Sequence, residues 1–167
     1  MIGIASKQLA EYDLRREQWE RRIGWYVTFQ MHNQGSRMVF EDVVTELGAS
    51  DVRVTPQHPL RMRTVLVNGQ VRWEEMARTN PGKVIKQWID ALDRLVKDGV
   101  IGGYTCVDGA PDGSDLPVRS RLSTMLEYRY EFTPGPELMK HIRAKSERRK
   151  RSRKSAKSEG TRAPSTS

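Results

Sequence analysis

The residues best placed to do chemistry are cations. Lys140, Arg143, Lys145, Arg148, Arg149, Lys150, Arg151, Arg153, Lys154 and Lys157 crowd one C-terminal stretch, against Glu147 and Glu159. Such a run displaces counterions from a phosphate backbone and binds it without regard to sequence. The blander role is a solubilising tail, but an excess that is cationic and compact favours the phosphate arm. A second set lies in "NPGKVIKQWIDALDRLVKDG", where Lys83, Lys86, Arg94 and Lys97 share a polar face with Asp90, Asp93 and Asp98. That face can be a solvated surface laced by Lys86–Asp90 and Asp93–Lys97 pairs, each worth about 0.2–0.5 kcal/mol. Against this, Lys83 and Lys86 stand near the start of the helix, where its dipole disfavours cations. A helix shaped for stability alone would carry acids there, so the pair points to an anionic ligand.

Other chemistries find no constellation. His32, His58 and His141 are scattered and lack cysteine partners, which argues against a metal site. "DGAPDGSD" lacks the alternating ligands and closing Glu of an EF-hand loop. No phosphate loop, Ser–His–acid set or paired catalytic carboxylates stand out. We therefore expect no cofactor and no catalytic activity. The lone Cys106 excludes an intrachain disulfide and suits a reducing cytoplasm. "MIGIASKQLAEYDLRREQ" becomes polar too early for a signal peptide. No apolar run reaches the roughly 18–20 residues that a bilayer span needs. The expected setting is the bacterial cytoplasm or nucleoid, with no membrane partner.

The charge balance separates a body from a tail. Of 29 Lys/Arg and 21 Asp/Glu, residues 140–167 hold 11 and 2, a net of +9; residues 1–139 keep 18 and 19, a net of −1. The basicity of the whole chain thus says little about its body. Apolar residues make up 37%, low for a compact chain. A length of 167 residues accordingly fits one domain over 1–139 and a basic, largely disordered tail over 140–167.

These residues need elements to position them. From Leu14 to Gln34 the apolar side chains Trp19, Ile23, Tyr26 and Val27 recur at helical steps, with Trp25, Phe29 and Met31 spread around the cylinder. A helix apolar on most sides belongs in a core or a dimer interface. "GSRMVFEDVVTELG" predicts a short second helix capped by Ser36 and ended by Gly48, with Val39, Phe40, Val43, Val44 and Leu47 as its stripe. "RMRTVLVNGQVRWEE" predicts a hairpin turning at Asn68-Gly69, with Leu66 opposite Val71, Thr64 opposite Trp73 and Arg63 opposite Glu74. Asn80 and Pro81 open a helix over 82–98 whose apolar arc holds Val84, Ile85, Trp88, Ile89, Ala91, Leu92, Leu95 and Val96. Trp88 sits mid-arc and is expected to anchor the core. Gly99 stops this helix, "VIGGYTCV" continues as a strand, residues 108–121 form a flexible loop, and "LEYRYEF" is an alternating strand with Tyr128 and Tyr130 inward.

A helix ending in "ALDRLVKDGVIGGY" and followed by a ribbon with a long tip resembles the winged-helix variant of the helix-turn-helix. The resemblance spans roughly residues 14–133 and rests on element order, not on a chemical signature. It implies an α+β winged helix-turn-helix carrying an inserted β-hairpin, about 49–79, between helices 2 and 3, where the superfamily has a short turn. It further implies that the 82–98 helix enters the major groove while the wing touches phosphate. The implied DNA-binding residues are Thr79, Asn80, Lys83, Lys86, Gln87, Asp90 and Arg94 on the helix side, and Arg119 and Arg121 in the wing. Gln87 can pair with adenine and lysine can approach guanine. Arg148, Arg149, Lys150, Arg151, Arg153 and Lys154 add the tail.

The expected function is non-enzymatic binding of double-stranded DNA. The aromatic first helix, the insertion and the "NPG" opening look like bacterial plasmid or mobile-element replication or control proteins, with transcriptional control close behind. A homodimer through the first helix or the inserted hairpin is expected. The competing reading is a protein-interaction module whose tail alone holds nucleic acid, RNA included.

Overall fold

The computed structural model describes residues 7, 9–13, 15–34, 39–44, 50–55 and 58–159. Within them the chain is a mixed α+β fold of six helices, a two-stranded ribbon and a three-stranded antiparallel sheet. The order is α1 (Gln18–Gln34), β1 (Val39–Val44), β2 (Ser50–Thr55), β3 (Leu60–Arg61), α2 (Met62–Asn68), α3 (Glu74–Thr79), α4 (Pro81–Lys97), β4 (Ile101–Cys106), α5 (Arg121–Met125), β5 (Arg129–Pro134) and α6 (Pro136–Glu159). The sheet runs β3-β5-β4.

α4 organises the core. Val84, Ile85, Trp88, Ala91, Leu92 and Leu95 are all buried along one face, and fully burying a large apolar side chain contributes about 1.5–3 kcal/mol. Trp88 has no exposed surface and meets Tyr130 of β5 edge to face, ring centroids 5.2 Å apart at 73°. The alternation of β5 places Tyr130 and Phe132 inward while Arg129 stays outside. Ile23, Val27 and Met31 of α1 close the core from the other side.

Two expected elements exchange their character. The predicted helix over 36–48 is, in its described part, strand β1, paired with β2 from Val39↔Thr55 to Val44↔Ser50. Three valines in six residues are stiff at χ1 and suit a strand once "SDVRVT" offers a partner. The predicted hairpin over 62–75 is instead α2, a turn and the start of α3. Met62, Val65 and Leu66, at helical spacing, are buried. The backbone N–H groups of Met62 and Arg63 donate to the Tyr128 and Leu126 carbonyls, at 3.0 and 2.9 Å, so α2 grows directly out of the sheet edge. Arg63 pairs with Glu127 at 2.8 Å, not with Glu74. The inserted ribbon therefore lies between α1 and β3, and a single residue, Asn80, separates α3 from α4.

Two further differences concern the ends of the ribbon β4–β5 and the tail. The loop over 108–121 is pinned to the body. The Asp108 carboxylate accepts from Arg129 Nη2 at 2.6 Å, and Tyr130 donates its hydroxyl proton to the Pro111 carbonyl at 2.9 Å. α5 then folds the chain back, with Met125 and Leu126 buried, so β5 starts at Arg129 and not at Leu126. The tail expected to be disordered is helical through Glu159. Pro136 and Glu137 suit a first turn, and Ala, Arg, Lys and Glu are strong helix formers. α6 is rooted by Ile142, which is buried, and enters through Gly135. There a Cβ would stand 2.7 Å from the Val100 carbonyl oxygen, in the turn that follows α4.

Candidate nucleic-acid interface

α4 begins where its sequence says it should. The Asn80 side chain accepts from the Lys83 N–H at 3.1 Å and Pro81 follows at the first helical position. Asn80 is thereby committed as a cap, and the Thr79 hydroxyl turns back to the Met76 carbonyl at 3.3 Å. Lys83 is exposed, with no ion pair among the described residues. Lys86 is exposed and pairs with Asp90 one turn on. Gln87 departs from the expected outward row: it is half-buried, with Oε1 enclosed and no partner for it among the described residues. Its position explains this, since it stands three residues after Val84 and four before Ala91, on the border of the apolar arc.

In the far half of α4, Arg94 is engaged. Arg94 donates through Nε to Asp98 at 2.7 Å and lies 3.4 Å from Glu17, so its guanidinium is shared between two carboxylates. Tyr12 donates to the same Asp98 at 2.8 Å. Burial, then this bond, push the Tyr12 phenol well above its ordinary value. Asp98 is held below the usual carboxylate range by Arg94 and Tyr12, whose bonds outweigh the opposing effect of burial. Arg94 therefore ties the N-terminal segment to α4, while the exposed lysines of the helix are Lys83, Lys86 with its Asp90 partner, and Lys97.

The two arginines of the 108–121 loop divide. Arg119 is exposed. Arg121 begins α5, is half-buried and donates through Nη2 to the Leu116 carbonyl at 3.0 Å. Arg121 thus helps to hold the loop together, at the start of α5. On α6, Arg148 and Arg151 are exposed. The backbone of Arg149, Lys150, Arg153 and Lys154 is helical, and their side chains lie outside the described set.

One surface escaped the sequence reading. A groove of about 630 Å³ opens beside α1, lined by Arg21, Arg22 and Trp25 together with Asn68, Gly69 and Gln70 at the end of α2. The arginine pairs of "DLRREQWERRIGW" were the signal for it. Among the described residues no three His, Cys, Asp or Glu side chains converge to hold a metal ion, and no helix is long and apolar enough to cross a membrane. Comparison with family models, with curated proteins and with solved structures gives no match.

Proposed function

We propose that the chain is a non-enzymatic, winged-helix DNA-binding protein acting in plasmid or mobile-element replication or in transcriptional control. The observation that carries this reading is the exposed pair Lys83 and Lys86 at the start of α4. Cations there oppose the helix dipole, and they gain a purpose if the first turns of α4 meet a nucleic acid. Supporting it, α4 leads straight into the ribbon β4–β5, Arg119 is exposed on the connecting loop, and α6 carries a cationic surface. The one-residue joint at Asn80 replaces the long insertion expected before the recognition helix, which brings the element order closer to the superfamily's.

The test is titration of labelled mixed-sequence and selected duplexes across a salt series. Lys83→Ala/Lys86→Ala, with α6 intact, should weaken binding to a preferred site by about 1–3 kcal/mol for each lysine that reads a base edge, or lower the salt slope by about 1 for each lysine that neutralises a phosphate. Asp90→Asn should strengthen binding by freeing Lys86. Affinity that depends on α6 alone and ignores sequence would refute the proposal. It would favour the second reading, a protein-docking α4, for which the three acids Asp90, Asp93 and Asp98 speak.

A further inference from the structure

The outer face of α1 is built unlike a solvated helix surface. Ile23, Val27 and Met31 satisfy the core, yet Trp25 and Phe29 remain 43% and 46% exposed. At a spacing of four residues they sit one turn apart on the same face, with about 5–6 Å between their Cβ atoms. Upstream lies the groove lined by Arg21, Arg22 and Trp25, and among the described residues no carboxylate contributes to its walls. Arg21 makes no ion pair among the described residues, while Arg22 donates to the Gln70 carbonyl, which fixes its guanidinium across the groove. Downstream, His32 is half-buried against α6. Its imidazolium is disfavoured first by burial and then by the charges of Lys145 and His141. From Arg21 to His32 the face runs about 16 Å at 1.5 Å per residue. It thus links two guanidiniums, two open rings and the root of the cationic helix.

We propose that this strip is a second binding site, for single-stranded nucleic acid, with bases stacked on Trp25 and Phe29 and phosphates held by Arg21 and Arg22. Aromatic platforms in a cationic groove are the recurring solution for unpaired strands, because every base has a π-face and every linkage a charge. A duplex keeps its bases stacked inside and cannot use the rings. A second copy of the chain supplies no anion to the arginines: two-fold pairing centred between Trp25 and Phe29 sets Arg21 and Arg22 opposite Asn33 and His32, neither of them acidic. An acidic peptide would use the arginines but leaves two flat rings and the side-chain amide of Gln70 without a specific role. The site shares no lining residue with α4 and stands independently of the duplex-binding proposal.

The full chain is titrated with labelled oligothymidylate, with oligouridylate and with a mixed-sequence duplex, at salt high enough to weaken the α6 contribution. Arg21→Ala/Trp25→Ala should lower affinity for the single strands about tenfold or more and leave duplex affinity unchanged. Trp25→Phe should retain binding, because it keeps a stacking ring. Photocrosslinking of iododeoxyuridine-substituted oligothymidylate should mark Trp25 or Phe29. Lys83→Ala/Lys86→Ala should leave all single-strand measurements intact, so this site and the α4 site fail separately. Unchanged single-strand affinity in Arg21→Ala/Trp25→Ala, or crosslinks confined to α6, would overturn the proposal. Displacement of the oligonucleotide by polyglutamate at equal charge concentration would assign the groove to acidic peptides instead. A concentration-dependent dimer abolished by Trp25→Ala would assign it to a second copy.

Discussion

Replacing Gln70 by glycine should make this protein more stable, which is the reverse of what the Asn68-Gly69 dipeptide suggests. α2 ends in a Schellman motif. The Gln70 N–H donates to the Val67 carbonyl at 3.0 Å and the Val71 N–H to the Leu66 carbonyl at 2.9 Å, with Val71 and Leu66 both buried. That motif puts its left-handed residue one past the cap, and here it is Gln70, at φ 56°, while Gly69 is right-handed at φ −72°. α4 ends in the same pattern with glycine at the equivalent place, Gly99 at φ 72°. A side chain in the left-handed region costs about 1–2 kcal/mol. Glycine gives back about 0.5–1 kcal/mol through the freedom of the unfolded chain. Gln70→Gly should therefore stabilise by about 0.5–1 kcal/mol, a melting shift of roughly 1–4 °C at this chain length. Gly69→Ala should do the opposite. Its Cβ would stand 2.7 Å from the Val65 carbonyl oxygen and 3.1 Å from that of Arg22, backbone atoms that cannot rotate away. The cost is about 1–3 kcal/mol. Urea unfolding at constant m value measures both. A hairpin at Asn68-Gly69 would put Gln70 in a strand, where glycine destabilises. A lowered midpoint for Gln70→Gly, or a neutral Gly69→Ala, would refute the helical assignment.

Other expectations follow from the core and the 108–121 loop. Trp88→Ala should cost about 3–5 kcal/mol. Trp88→Phe should cost much less, since it keeps the edge contact with Tyr130; equal losses in the two variants' unfolding midpoints would contradict this packing. The Arg129 side chain, chiefly, holds the Asp108 carboxyl below its usual range. The folded value is the lower one, so the stabilisation is full above about pH 4, the ordinary aspartate value, and fades as pH falls through the folded value. Unfolding midpoints of the wild type and Asp108→Asn should converge as pH falls below about 4; a difference that persists into strong acid would count against the clasp.

What could be read from the sequence tracks how far each signal reaches along the chain. α4 is marked within its own twenty residues by Asn80, Pro81, a continuous apolar arc and Gly99, and it lies where those residues put it. The segments 39–44 and 62–68 carry six or seven residues each, too few for helical periodicity and β-branching to be told apart. Short helices nucleate poorly on their own, so tertiary partners decide. For α2 the partner is the 126–128 carbonyl row, some sixty residues away. The same distance problem governs the candidate site. Lys83 and Lys86 were visible because a helix start is a local feature. The long-range partner of Arg94 is Glu17, Tyr12 shares its Asp98 from 86 residues away, and the inward turn of Arg121 depends on α5 packing. Exposure of Trp25 was hidden for a related reason, since nothing in the pattern of α1 says which of its apolar residues the body leaves uncovered.

The glycine between β5 and α6 has a mechanical meaning. Gly135 presses backbone to backbone on the Gly99–Val100 turn, with no side chain between them to yield. The exit of α4, the entry of β4 and the root of α6 therefore share a single pivot. Tension applied along the cationic helix is delivered to the base of α4, the helix whose opposite end offers Lys83 and Lys86.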